Sequence, residues 1–143
     1  MNRRFPYLLD LALLVTRIAV GVVFLAHGWS KVSGGGTAAG FEKMGVPLPA
    51  VSAFYATWVE VLGGIALIVG LAVPIAGVLL FLDMLGAFVL VHAGNGIFVS
   101  DGGFELVLVL GVSALLLAAA GSGKFGVDEL WRSRRADRQS VSA

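Results

Sequence analysis

Four long apolar runs, at about residues 8–29, 51–73, 75–93 and 104–121, constrain this chain more than any other feature. A bilayer's hydrocarbon core is about 30 Å thick and takes about 20 predominantly apolar residues as a helix. Each run approaches that length. The runs are continuous, without the alternation of a membrane β-barrel, so helices are the expected spanning elements. Composition agrees. Of the 143 residues 58% are apolar before the 20 glycines are counted, and only 13% are charged. A soluble domain of this size could not cover its surface with so few polar groups. The expected fold class is all-α: an integral membrane four-helix bundle forming a single domain, with a basic tail at 122–143. The first run resembles a secretory signal, but it is too long, carries Arg17 and lacks a small-x-small cleavage site.

Basic residues set the expected orientation. Arg3 and Arg4 precede the first run, and Lys124, Arg132, Arg134, Arg135 and Arg138 follow the last. Between runs one and two there are only Lys31 and Lys43, and between runs three and four there are none. By the positive-inside rule both termini are expected in the cytoplasm. Pro74 marks a tight hairpin between runs two and three. Residues 37–45 read as a short outer-surface helix between spans 1 and 2. The tail from Val127 to Trp131 reads either as a short interfacial helix or as a solvated, partly disordered segment. A net charge of +1 gives nucleic acid no footprint. The absence of cysteine removes disulfides, thiol nucleophiles and iron–sulfur ligation from this chain.

Ionisable groups inside apolar runs are costly and therefore informative. Arg17, Glu60 and Asp83 each fall near the middle of a run. Each shares a helical face with small residues: Arg17 with Gly21 and Gly28, Glu60 with Gly63 and Gly64, Asp83 with Gly86 and Ala87. All three are expected to point into the bundle, one arginine facing two carboxylates, with one carboxyl holding its proton at neutral pH because two adjacent anions repel. They are proton-handling candidates, or else a charge-balanced bolt that fixes helix register. A second polar layer combines His27, Lys31, His92, Asp101 and Glu105 at the opposite end from the basic tail. This layer suits a quinone head group or another polar ligand. No metal site is expected, since the metal-ligand spacings are missing, and a haem between His27 and His92 has nothing further to support it.

The spaced polar residues resemble a known family. Arg17-x-x-x-Gly21-x-x-Phe24-x-x-His27-Gly28-x-x-Lys31, Phe41-x-x-x-Gly45-x-Pro47, Glu60-x-x-Gly63-Gly64, Gly70-Leu71, His92, Gly103-x-Glu105 and Asp128-x-Leu130 together are similar to the DoxX family of small four-helix bacterial membrane proteins. The resemblance implies a bacterial inner-membrane, multi-pass location. It also implies a role as membrane subunit of a quinone-linked oxidoreductase, with a non-covalent quinone and a protein partner. Two departures stand out. Ala72-Val73-Pro74 occupies a loop that is often basic in the family, and Asp83 is less typical than the other polar positions. Two other functions fit the same residues: a non-catalytic anchor or scaffold for a partner complex, and a small transporter, which would need a homo-oligomer.

Overall fold

The computed structural model describes residues 6–141, with side chains from 7 to 135; Arg3, Arg4 and the side chain of Arg138 lie outside these. Every regular element among the described residues is helical. Helix α1 spans Pro6–Gly34, α2 Thr37–Lys43, α3 Pro49–Val69 and α4 Val73–Ala87, continuing as a π-helical turn over Phe88–His92. A 3-10 turn at Val99–Asp101 leads to α5, Glu105–Ala120, and α6 covers Val127–Val141. Three stretches are long and apolar enough to cross a membrane: Tyr7–Gly34, Pro49–Val69 and Val73–His92. The fourth apolar run forms a helix of 16 residues, about 24 Å at 1.5 Å per residue. Gly102 and Gly103 precede it and Gly121, at φ 78°, ends it, so it is shorter than the expected 104–121.

Helix α1 packs on α3, α3 on α4 and α4 on α5, and α2 lies against α3. Their shared core is Val20, Phe24, Leu67, Leu80, Met84, Leu110, Ala114 and Leu117 with their neighbours. Outward-facing Val22, Leu62, Leu82 and Leu116 are 48–60% exposed, as befits helices whose outer faces meet lipid. Lipid removes most of the hydrophobic drive for helices to associate, so close backbone approach carries more of the load. That approach occurs where α1 crosses α3. A Cβ at Gly21 would sit 2.7 Å from the Gly64 carbonyl, and one at Gly64 would sit 2.7 Å from the Gly21 carbonyl. About two turns further along α1, Gly28 lies against Val61 and Glu60. The two glycines therefore fix both the separation of α1 and α3 and their antiparallel register.

The α3–α4 hairpin is as tight as Pro74 predicts, with Gly70 closing α3 at φ 76° and Pro74 in the first turn of α4. Between them Ala72 takes φ 48°, a left-handed conformation costing about 1–2 kcal/mol for a residue with a Cβ. The tail is helical: α6 forms, and its first residues are tied to this hairpin. Asp128 accepts hydrogen bonds from the N–H of Ala72 (2.7 Å) and Val73 (3.1 Å), and its own N–H donates to the Gly70 carbonyl (3.1 Å). The carboxylate thus caps α4 and offsets the strain at Ala72.

Gly64→Ala should lower stability by about 1–3 kcal/mol, because a backbone carbonyl stands where the methyl would go. Thermal unfolding in mild detergent checks this against wild type, and an unchanged unfolding temperature would refute the close crossing.

Candidate functional site

The α1–α3 register decides which polar groups meet. Arg17 stands level with Gly70, at the tail end of the bundle, and Glu60 lies about 15 Å further along α3. The expected convergence of Arg17 with Glu60 and Asp83 does not form. Helix α1 starts well before the level of the α3–α4 turn, so equal counting from the start of each apolar run does not give equal depth. The Arg17 side chain is fully buried among Gly70, Gly126 and the Phe125 carbonyl, to which Nη2 donates at 2.6 Å. The Asp128 carboxylate lies within electrostatic reach. A Cβ at Gly70 would overlap the guanidinium. Asp10, nearly buried in the first turns of α1, reinforces this end by accepting from the Lys124 N–H (3.3 Å) and pairing with its ammonium (3.6 Å). Arg17 is thus a fold-fixing residue at the tail end.

Lys31, a full fourteen-residue step and about 21 Å beyond Arg17 on α1, takes the place expected for the arginine. Its ammonium pairs with Glu60 Oε2. Lysine's long flexible stem lets it reach back from the end of α1 to a carboxylate near mid-helix. Asp83 on α4 is close enough to feel both charges. One cation facing two carboxylates therefore does exist, with lysine as the cation. Asp83 is 8% exposed, and its Oδ2 is buried without a hydrogen-bond partner among the described residues.

These groups share a cavity of about 670 Å³ between α1, α2, α3, α4 and the start of α5. Its polar lining comes from His27, Lys31, Glu60, Asp83, His92, Tyr55 and Ser52, and the rest is apolar. Both imidazoles are oriented by the backbone. His27 Nδ1 donates to the Val23 carbonyl (3.1 Å) and His92 Nδ1 to the Gly102 carbonyl (2.6 Å). A carbonyl can only accept, so each Nδ1 carries the proton and each Nε2 is left for a ligand. His92 belongs to the π-helical turn, a widening of the helix often found at functional sites.

Of the residues singled out in the sequence, Lys31, Glu60, Asp83, His27 and His92 converge on one cavity, while Arg17, Asp101 and Glu105 do not. Glu105 Oε1 accepts from the Val99 N–H at 2.7 Å and so closes the loop before α5. Tyr55 was not signalled. It lines the cavity, and its hydroxyl crosses from α3 to donate to the Leu79 carbonyl on α4 at 3.3 Å. A tyrosine in an apolar run, one turn and one residue before Glu60, was its only trace. Among the described residues no three histidine, aspartate or glutamate side chains come together as metal ligands.

Lys31→Met leaves the buried Glu60 carboxylate unpaired and should cost about 3 kcal/mol. The double variant Lys31→Met/Glu60→Leu should recover most of this loss in the same unfolding measurement. At the other end, Asp128→Ala should cost about 1–2 kcal/mol by uncapping α4. Equal stability of the three variants and wild type would refute both contacts.

Residues 12–93 match the DoxX family. The chain is 33% identical over 129 residues to the Bacillus subtilis (strain 168) protein named "Putative oxidoreductase CatD", covering 90% of each chain. It is 34% identical to the Escherichia coli (strain K12) protein named "Inner membrane protein YqjF", covering 85% of this chain and 92% of the relative. It is 30% identical to "Inner membrane protein YphA" of the same organism, covering 81% and 87%. No solved structure matches the chain. With its apolar helices and this relatedness, the chain is a membrane protein belonging to the DoxX family.

Proposed function

We propose that this chain is the membrane-embedded subunit of a quinone-linked oxidoreductase assembly and that the cavity receives the quinone head group. The observation that carries this reading is the convergence of Lys31, Glu60, Asp83, His27 and His92 on one cavity with otherwise largely apolar walls. Asp83 Oδ2 is buried without a partner among the described residues; an unmet acceptor is costly, and a proton shared with the neighbouring Glu60 carboxyl would satisfy it. The volume lies within the usual range for a small-molecule site. A quinone, when bound, supplies two-electron chemistry coupled to protons. The chain's own residues then hold and orient the head group. Lys31 can donate to a ring carbonyl oxygen, the two Nε2 atoms can accept from the hydroxyls of the reduced ring, and Asp83 and Glu60 take or release a proton. Electrons pass to or from a partner protein, because this chain carries no thiol and no candidate electron carrier beyond the unsupported His27–His92 pair. The name of the Bacillus relative supports the oxidoreductase class. The names of the Escherichia relatives support the bacterial inner membrane, and the basic tail supports cytoplasmic termini with four passes.

A second reading, a non-catalytic anchor for a partner complex, draws on one observation. Arg17, Asp10 and Asp128 all serve the packing of the tail segment, so part of the polar inventory has a structural role.

The test is a titration of the protein in lipid nanodiscs with a decyl-substituted benzoquinone. Saturable binding is expected, weakened at least about tenfold, or 1.4 kcal/mol, by Asp83→Asn, with normal unfolding temperature. No saturable binding, or equal binding by Asp83→Asn and His92→Leu variants, would overturn the proposal.

A further inference from the structure

Glycines inside the long helices of this protein have a steric reason, with one exception. A Cβ at Gly21, Gly28, Gly63, Gly64, Gly77 or Gly111 would come within 2.6–3.1 Å of a neighbouring helix. At Gly86 it would meet nothing within 4 Å. Gly86 is also ordinary α-helix, with no positive φ to require glycine. A glycine inside a helix costs about 1 kcal/mol relative to alanine, and here packing gives nothing in return. What lies in front of Gly86 is the cavity, which it lines one helical turn from Asp83. Around it, Val51 and Tyr55 of α3, Leu82 of α4 and Leu90 of the π-helical turn line the cavity and are 39–63% exposed.

We propose that Gly86 keeps open a lateral portal between α3 and α4, through which the ligand's apolar tail passes into the bilayer while its head group rests at Asp83. The ligand class is then a membrane-dissolved amphiphile with a small polar ring and a long hydrocarbon tail, which arrives from the lipid phase. This inference rests on the quinone-site reading above and adds the path of the tail. The spacing supports it. Asp83 and Gly86 are three residues apart on one helix face, about 4.5 Å along the axis, so the open space at Gly86 adjoins the Asp83 position. Leu90 continues the same face outward. Tyr55, held across the gap by its bond to the Leu79 carbonyl, forms the opposite edge.

The experiment compares two probes, a decyl-substituted benzoquinone and the same ring without its tail, on wild type, Gly86→Ala and Gly86→Phe in nanodiscs. Gly86→Phe should weaken the tailed probe at least tenfold and change the tail-less probe less than twofold. Gly86→Ala should unfold no earlier than wild type. The chain has no cysteine, so Gly86→Cys gives a single labelling site that does not depend on tolerance of phenylalanine. A lipid-soluble maleimide should label it, and the tailed probe should protect it while the tail-less probe should not. Wild-type binding of the tailed probe with no effect of Gly86→Phe, loss of both probes together, or unprotected labelling of Gly86→Cys would overturn the portal while leaving the head-group site standing. Failure of wild type to bind either probe would overturn the site reading itself.

Discussion

The contact on which the rest of this structure depends is the backbone approach of α1 to α3 at Gly21 and Gly64. In lipid, where burying a leucine against another helix gains little over leaving it among acyl chains, such an approach is a principal source of helix association. Because it allows one close antiparallel alignment, it also sets which side chains stand opposite each other. Lys31 meets Glu60, and Arg17 meets Gly70. Moving α1 by a single turn, about 5.4 Å, would separate both pairs. The two glycines thus position chemistry at both ends of the bundle without taking part in it.

The consequence is a division of labour between the ends. At the tail end, Arg17, Asp10 and Asp128 bond to backbone groups, a carbonyl, two helix N–H groups and a loop amide, although Arg17 Nε and Nη1 stay buried without a partner among the described residues. Each joins the 122–128 segment to the helices, which makes that end a closed structural knot. At the histidine end the polar groups leave bonding capacity over. Lys31 and Glu60 neutralise each other, Asp83 stands beside both, and the imidazoles are held by one nitrogen apiece. Held side chains with free polar atoms around a partly apolar cavity are what ligand recognition needs, since orientation is fixed before the ligand arrives.

Much of this was legible in the sequence, for physical reasons. Length and continuity of apolar runs expose spanning helices, because a bilayer imposes both. The hairpin at Pro74 and the short α2 followed from local chemistry. The membrane-depth carboxylates Glu60 and Asp83 announced themselves by their cost, and they do meet. Their cation was misassigned because depth was counted from the start of each run, whereas register is set by helix contacts that no single-run count contains. Lys31 sits at a run's end, where lysines commonly reach for headgroups, and only the crossing shows it turning inward. Glu105 looked like part of the outer cluster because the loop that it caps is not readable from spacing. Tyr55 and Asp10 gave no signal, since each acquires its partner only through tertiary contact with Leu79 or Lys124.

The most direct test of the central claim, that the Asp83 cavity is the quinone site, is photolabelling of the protein in native membranes with an azido-quinone, followed by peptide mapping. The account predicts label on the cavity-facing stretches of α3 around Tyr55 and of α4 around Asp83 to Leu90, reduced by excess unlabelled quinone. Competable label confined to other surfaces, or no competable label at all, would contradict it.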